Sequence, residues 1–509
     1  MRTATAALLI FLTALAATVA LQIRSGAYAA EFTETSDESA HYVTGLLAHD
    51  YILAGTPRSV GAFYRRFRDH YSNVGIGHWP PGFYLLQAAW TLPFGYSRGS
   101  MLMLIAICNA GFLTAGFFLV NSVLPLRYAL GAGLMLLTIP TAQLSARSVM
   151  GEVPMALLEL GAVAAFRSYL KRERPEDSAL FGLLAAAALL TKGTGIMLAT
   201  IPPLGALLQR RPGLLMRWHF WLPAGVVIAF CVPWYVIAPG ALHDQVAFLG
   251  GLCFLPERFL ETFLFLRDNL GLAVLVAALL GMAVTVCSIF NGEKLDPIWP
   301  LALTVVSCSI LFRAFVAVWE PRHLLTSMPW ILLLAGYAIR RATERPGLAA
   351  AVAGSASIIA VAIYPAWNIW SMPKKTHLGL DEAALAILAT PDMENAALLV
   401  ISDLRGEGVF TAEIAGHERR PGHRVLRGSQ VLANTSFLGD ESVPRFRDTT
   451  ALMGYLASVR PLMVILDDPS QPFSHAKLMQ QVIVEHAPAW QKIGAHNGPR
   501  GPIEIWLLE

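Results

Sequence analysis

The sequence predicts a polytopic α-helical membrane protein of about eleven spans, with juxtamembrane or re-entrant helices and a small C-terminal extracytoplasmic α/β domain. Three observations predict it. The chain is 55% hydrophobic and only 14% charged, where soluble proteins carry about 25% charged residues. Long apolar runs recur from residue 4 to residue 370, and a helix satisfies its own backbone polar groups in lipid. After residue 373 the character changes: charges become frequent and the long apolar runs stop. The net charge of +3 gives no footing for nucleic acid. The cysteines are Cys108, Cys231, Cys253, Cys287 and Cys308; they lack metal-ligand spacing and imply no disulfide framework.

The elements follow in order. The first segment, 4–22, is preceded by Arg2 and followed by Ala27-Tyr28-Ala29, which imitates a secretory signal. Its apolar run exceeds the roughly 7–15 residues of a signal core, so it reads as a retained span. Further spans are expected at 100–120, 127–145, 152–170, 178–191, 194–209, 218–238, 269–290, 298–317, 322–339 and 347–370. The stretch 82–97 is apolar but short, and Pro93 interrupts it. It reads as juxtamembrane or re-entrant within a large first outer loop, 23–99.

Charge sets the expected topology. With 82–97 not crossing, the alternate loops from 121–127 to 340–345 hold twelve Lys or Arg, and the opposite loops hold five. The cation-rich set belongs in the cytoplasm. The N-terminus is then inside and the C-terminus outside. On the outer side fall Asp37, Glu38, His78, Arg147, Glu152, Lys192, Glu320, Arg322 and His323.

In the region 374–509, ALLVIS (397–402), PLMVILDD (461–468) and IEIWLL (503–508) read as strands. DEAALAILA (381–389) reads as an amphipathic helix. Asp467-Asp468, at a strand end, reads as a solvated turn, with a metal site as the alternative.

Several residues point to chemistry. Asp37 and Glu38, in SDESAHY (36–42), form a carboxylate pair at the start of the outer loop and are candidates for proton chemistry at the water interface. Downstream stand His78-Trp79-Pro80-Pro81, then Glu152-Val153-Pro154 and Thr191-Lys192-Gly193. Gly193 and Gly195 free the backbone for a reversal that carries Lys192 at its tip. Pro233-Trp234 and Arg322-His323-Leu324-Leu325 complete the series.

In that order and on one side, these motifs resemble the GT-C glycosyltransferases. The nearest branch holds the protein O-mannosyltransferases and the bacterial aminoarabinose transferase of lipid A. The resemblance runs from the first span to about residue 340. Two positions depart from the pattern: His78 stands where lysine is usual before the prolines, and Glu152 where aspartate is common.

The resemblance implies an integral membrane enzyme, a hexosyl- or pentosyltransferase of the bacterial-type inner (plasma) membrane. It would move a sugar from a polyprenyl-phosphate donor to an acceptor hydroxyl at the outer face, with inversion. The partners implied are the polyprenyl-phosphate-linked sugar, membrane lipid, and an acceptor lipid, protein or glycan. Asp37 is the expected general base. Lys192 and Arg322, with His78, Arg147 and His323 behind them, are the expected donor-phosphate ligands. Glu38 and Glu152 are expected to orient these groups or the acceptor, or to hold a divalent metal ion, whose use the resemblance leaves open. Two other readings are a lipid-linked sugar transporter or flippase, and a non-catalytic partner subunit of the same fold. A transporter places ionisable groups near the bilayer midplane. Here Glu159 and Arg313 are the main such residues inside the spans.

Overall fold

The computed structural model describes residues 2–56, 59–238, 255–315, 320–344, 347–391, 393, 396–435, 442–467 and 474–508. Cys253, Arg345 and Asp468 lie outside these residues.

The chain is a helical membrane protein. Helix α1 (Arg2–Arg24) is followed by α2 (Ser36–Leu53), α3 (Val60–His70) and α4 (Gly82–Phe94). Next come α5 (Arg98–Asn121), α6 (Leu126–Thr138), α7 (Pro140–Ala146), α8 (Glu152–Arg172), α9 (Pro175–Thr191), α10 (Ile201–Leu208) and α11 (Trp218–Ile237). The bundle continues with α12 (Leu255–Leu270), α13 (Leu272–Phe290), α14 (Ile298–Phe315), α15 (Met328–Thr343) and α16 (Leu348–Trp370). Every stretch expected to span is helical for most of its length. Among the described residues, α1, α5, α8, α11 and α13 are long and apolar enough to cross a membrane. The pair α6 and α7 makes a sixth candidate, bent by 61°. The bend has a local cause: Ile139 is extended (φ −61°, ψ 138°), as a residue before proline prefers.

Helix α9 ends at Thr191, and a 3₁₀ segment, Gly193–Thr200, leads into α10. The reversal is made by extended Lys192 (φ −155°, ψ 137°). Gly195 contributes closeness of approach: a Cβ there would lie 2.8 Å from the backbone of Ala188 and Leu189. Gly82, the first residue of α4, lies as close, since its Cβ would meet the Leu190 carbonyl oxygen at 2.7 Å. The Pro80-Pro81 segment therefore seats against the Lys192 turn.

The C-terminal layer begins with α17 (Leu380–Leu388). A sheet follows, ordered β2 (Arg424–Arg427), β1 (Ala397–Ile401), β5 (Leu462–Asp467), β7 (Gly501–Leu508), β6 (Trp490–Gly498). The first three strands are parallel, and β7 is antiparallel to both β5 and β6. A two-stranded ribbon pairs β3 (Ala433–Thr435) with β4 (Ser442–Pro444). Strands β1, β5 and β7 and helix α17 stand where the apolar patterns placed them. Helix α18 (Leu404–His417) covers one sheet face; α19 (Thr449–Ala457) and α20 (Ser474–Glu485) cover the other.

One contiguous apolar core runs from α5, α8 and α15 through α2 into α17 and α18. A second core fills the far face of the sheet. Helices α2 and α18 pack in parallel. Ser39 meets Gly408 near their N-termini, where a Cβ would lie 2.6 Å from the serine Oγ. Arg420 grips Asp50 at the other end, with bonds of 2.8 and 2.9 Å. The first loop and the C-terminal layer thus form one tier over the same end of the bundle.

Candidate active site

The first turn of α2 starts the site. Asp37 and Glu38 occupy its N-terminal end, where backbone N–H groups lack partners and the helix dipole favours carboxylates. The two neighbours then part company. Glu38 is fully buried and every oxygen is engaged. Its Oε2 accepts from Glu34 N at 2.8 Å; its Oε1 accepts from Val149 N at 2.9 Å and from Lys375 Nζ at 2.7 Å. Arg147 belongs to this same buried set. It clasps Glu34 through Nε and Nη2 at 2.7 and 2.9 Å and donates to the Pro373 carbonyl.

Asp37 faces the other way and stays a quarter exposed. Arg322 holds it: Nη2 donates to Asp37 Oδ2 at 2.7 Å, and Nη1 to Thr35 Oγ1 at 3.0 Å. The Nε of Arg322 forms ion pairs with Glu152 Oε1 at 2.8 Å and Glu320 Oε2 at 2.9 Å. Lys192 pairs with the same Glu152 oxygen. The Glu152 side chain is 1% exposed, and its Oε2 has no hydrogen-bond partner among the described residues. Three ends meet here: Glu152 opens α8, Lys192 follows α9, and Arg322 lies in the 3₁₀ turn Pro321–Ser327 before α15. His323 lies within electrostatic range of Lys192, Glu152 and Arg322. Burial pushes the Glu320 carboxyl up, against the pull of Arg322.

His41 completes the floor. It lies one helical turn after Asp37, stacks under Trp79 at 4.3 Å between centroids, and shares a 2.9 Å hydrogen bond between Nδ1 and the Tyr84 hydroxyl. Burial pushes its imidazole down to about 4, against the pull of Asp37 and Glu152. Burial thus favours the neutral imidazole. His78 is half-buried and stands edge-to-face on Trp79 at 4.9 Å.

Of the residues expected from the sequence, Asp37, Glu152, Lys192, Arg322 and His323 are brought together, with Glu320 beside them. His78 joins the site through Trp79. Glu38 and Arg147 sit in the adjoining buried cluster. The sequence reading had not singled out His41, Glu34, Thr35 or Lys375. Of these His41 carries a local signal, since residues four apart share a helix face.

Three carboxylates, Asp37, Glu152 and Glu320, surround the cations Lys192 and Arg322. A different group, Glu31, His377 and Asp381, brings ligand-type atoms within 4.8 Å of one another. There Glu31 caps the start of α17, accepting from Leu378 N and Leu380 N at 2.8 and 2.9 Å. Arg98 reaches Asp381 at 3.7 Å. Asp467 corrects the solvated-turn expectation: it is 3% exposed, held by Ser402 and Arg500.

No family model matches the chain, and no curated protein matches it by sequence. Solved structures do match. ArnT from Cupriavidus metallidurans, bound to undecaprenyl phosphate, superposes with a TM-score of 0.61 at 13% identity, covering 99% of this chain and 98% of that one. The archaeal oligosaccharyltransferase AglB from Archaeoglobus fulgidus, in complex with an inhibitory peptide and a dolichol-phosphate, gives 0.59 at 11% identity, covering 98% and 74%. The chain has the GT-C fold. The GT-C likeness extends through the C-terminal layer in the ArnT comparison, since nearly the whole of both chains is covered.

Proposed function

We propose that this chain is an integral membrane glycosyltransferase that transfers a sugar from a polyprenyl-phosphate donor to an acceptor hydroxyl at the outer face of a bacterial-type inner membrane. The observation that carries the reading is the Asp37–Arg322–Glu152–Lys192 cluster, partly open at Asp37 and closed at Glu152. The twelve-to-five loop charge bias supports an outer-face site. ArnT carries undecaprenyl phosphate and AglB a dolichol-phosphate in the matching folds.

The chemistry follows from the side chains. An acceptor hydroxyl must lose its proton as it attacks the anomeric carbon, and we assign that proton to Asp37, a quarter exposed at the start of α2. Arg322 fixes that carboxylate through one arm of its guanidinium. The leaving group is a lipid phosphate, which requires cations and no strong acid. Lys192 and Arg322 supply them, with His323 beside them. Attack opposite the phosphate inverts the anomeric centre. The free Oε2 of Glu152 suits a hydroxyl donor of the bound sugar. Glu38 and Arg147 act indirectly, by anchoring the turn that presents Asp37.

The test uses the purified full-length protein with a radiolabelled polyprenyl-phosphate sugar and total envelope extract as acceptor. Label should move into the extract with wild type and not with Asp37→Asn. Transfer at equal rates with both would overturn the assignment. Movement of the intact donor across vesicles, without cleavage of its phosphate–sugar bond, would establish a flippase instead.

A further inference from the structure

The C-terminal sheet has its own polar crevice, which the reaction above does not use. The chain leaves β1 through α18 to reach β2 on one flank, and returns through α19 to β5 on the other. The connections therefore diverge at β1 and β5. In open α/β sheets such a switch point, at the carboxyl ends of the strands, is where ligands bind.

Four side chains meet there. Ser402 and Asp403 follow β1, Asp467 ends β5, and Arg500 reaches over from the turn between β6 and β7. Arg500 Nη1 lies 3.0 Å from Asp403 Oδ2, and Nη2 lies 3.1 Å from Ser402 Oγ. The same Nη2 and the Ser402 hydroxyl both donate to Asp467 Oδ2. The fit is close: a Cβ on Gly406 would stand 2.0 Å from Ser402 Oγ and 3.0 Å from Arg500 Nη2.

The set is incomplete. Asp467 is 3% exposed, yet its Oδ1 has no hydrogen-bond partner among the described residues. Arg500 Nε is buried in the same condition. In front of them Asp403 and Arg500 remain partly open. Buried polar atoms normally have partners. A bare cation would satisfy the carboxylate and be repelled by Arg500; an anion would meet the reverse. A hydroxyl donates to the one and accepts from the other, and neighbouring hydroxyls on a ring do both at once.

We propose that the crevice formed by Ser402, Asp403, Asp467 and Arg500 is a subsite for the vicinal hydroxyls of a glycan. Its place suits an acceptor. Because α18 runs parallel to α2, with Gly408 against Ser39, these side chains lie toward the same end as the Asp37 turn. Naming the bound glycan the acceptor rests on the transferase reading; the binding itself does not.

The experiment is binding of the detergent-purified full-length protein to an array of immobilised mono- to tetrasaccharides of hexoses, pentoses and deoxyhexoses. No donor is present. Wild type should retain a defined set of these glycans. Asp467→Asn should lose at least tenfold in retention, and so should the more exposed and milder Asp403→Asn, which keeps the cap on α18. Thermal unfolding checks each variant, and Asp403→Asn decides if Asp467→Asn is unfolded. No retention by wild type, or equal retention by a folded Asp403→Asn, overturns the subsite. Transfer without array binding would remove the subsite and leave the transferase. Array binding without transfer would do the opposite.

Discussion

Two charged clusters share one turn of α2, and they teach opposite lessons about the same residue types. Around Glu38 the carboxylate has a partner for each oxygen, Lys375 is 1% exposed, and the contacts tie together segments 337 residues apart. Around Asp37 the carboxylate has one arginine, faces water in part, and adjoins a Glu152 oxygen with no partner among the described residues. A satisfied buried pair holds structure in place. An under-satisfied, partly open one is where a ligand gains most. The sequence shows two adjacent acids; the fold leaves one partly open and locks the other in place.

That contrast breaks first, and hardest, at Asp37. Asp37→Asn should lower transfer by about 10²–10⁴-fold, since the amide accepts a hydrogen bond but takes no proton. Its thermal midpoint should stay close to wild type. Near-normal turnover would remove the proposed base.

The buried cluster should fail in the other currency. Lys375→Met or Glu38→Gln leaves a buried charge without its partner, which costs about 3–5 kcal/mol of stability. Their melting curves should shift far more than the rate per folded molecule. The double variant Glu38→Gln/Lys375→Met should recover part of the loss. If single variants melt normally and turn over slowly, the two clusters are one functional unit.

Lys192→Ala and Arg322→Ala should sit between these extremes. Each removes a charge-assisted contact of about 1.5–3 kcal/mol, hence roughly a ten- to hundredfold loss of donor use. Arg322→Ala should be the worse, because it also releases Asp37. Unchanged donor dependence in both would exclude them as phosphate ligands.

The smallest expected effect is a pH slope. His41 is held near 4 in the fold against an ordinary 6.5, so the fold favours its neutral form. The stability that depends on it is complete above pH 6.5 and is lost as pH falls toward 4, by about 1–3 kcal/mol. His41→Asn should flatten the dependence of the thermal midpoint in that window. An unchanged slope would mean that other groups govern acid sensitivity.

Much of this was legible locally. Long apolar runs marked the helices, short unbroken ones marked β1 and β5, and IEIWLL marked β7. Glu152, Lys192 and Arg322 stood out because each is a charge at the end of an apolar segment. What was not legible is pairing across the chain. Lys375 follows Lys374 directly after the last apolar run and reads as a snorkelling flank. Nothing near it announces Glu38. Arg147 looked like an anion ligand because its partner, Glu34, is just another loop acid until α2 turns it inward. Asp467 read as a solvated turn because Arg500, 33 positions later, is invisible to a strand pattern.

The stitching of the first loop by late residues has a consequence for biosynthesis. Every side chain given a reacting or phosphate-binding role is in the chain by residue 323. The groups that fix the Asp37 turn and its surroundings come later: Lys375 on Glu38, the Leu378 and Leu380 amides on Glu31, Glu413 on Arg98, Arg420 on Asp50. A nascent chain that stops at residue 373 would therefore carry the full chemical inventory on an unfastened loop. Premature termination should yield an inert membrane protein, and a translating chain should acquire its active geometry only in its final quarter.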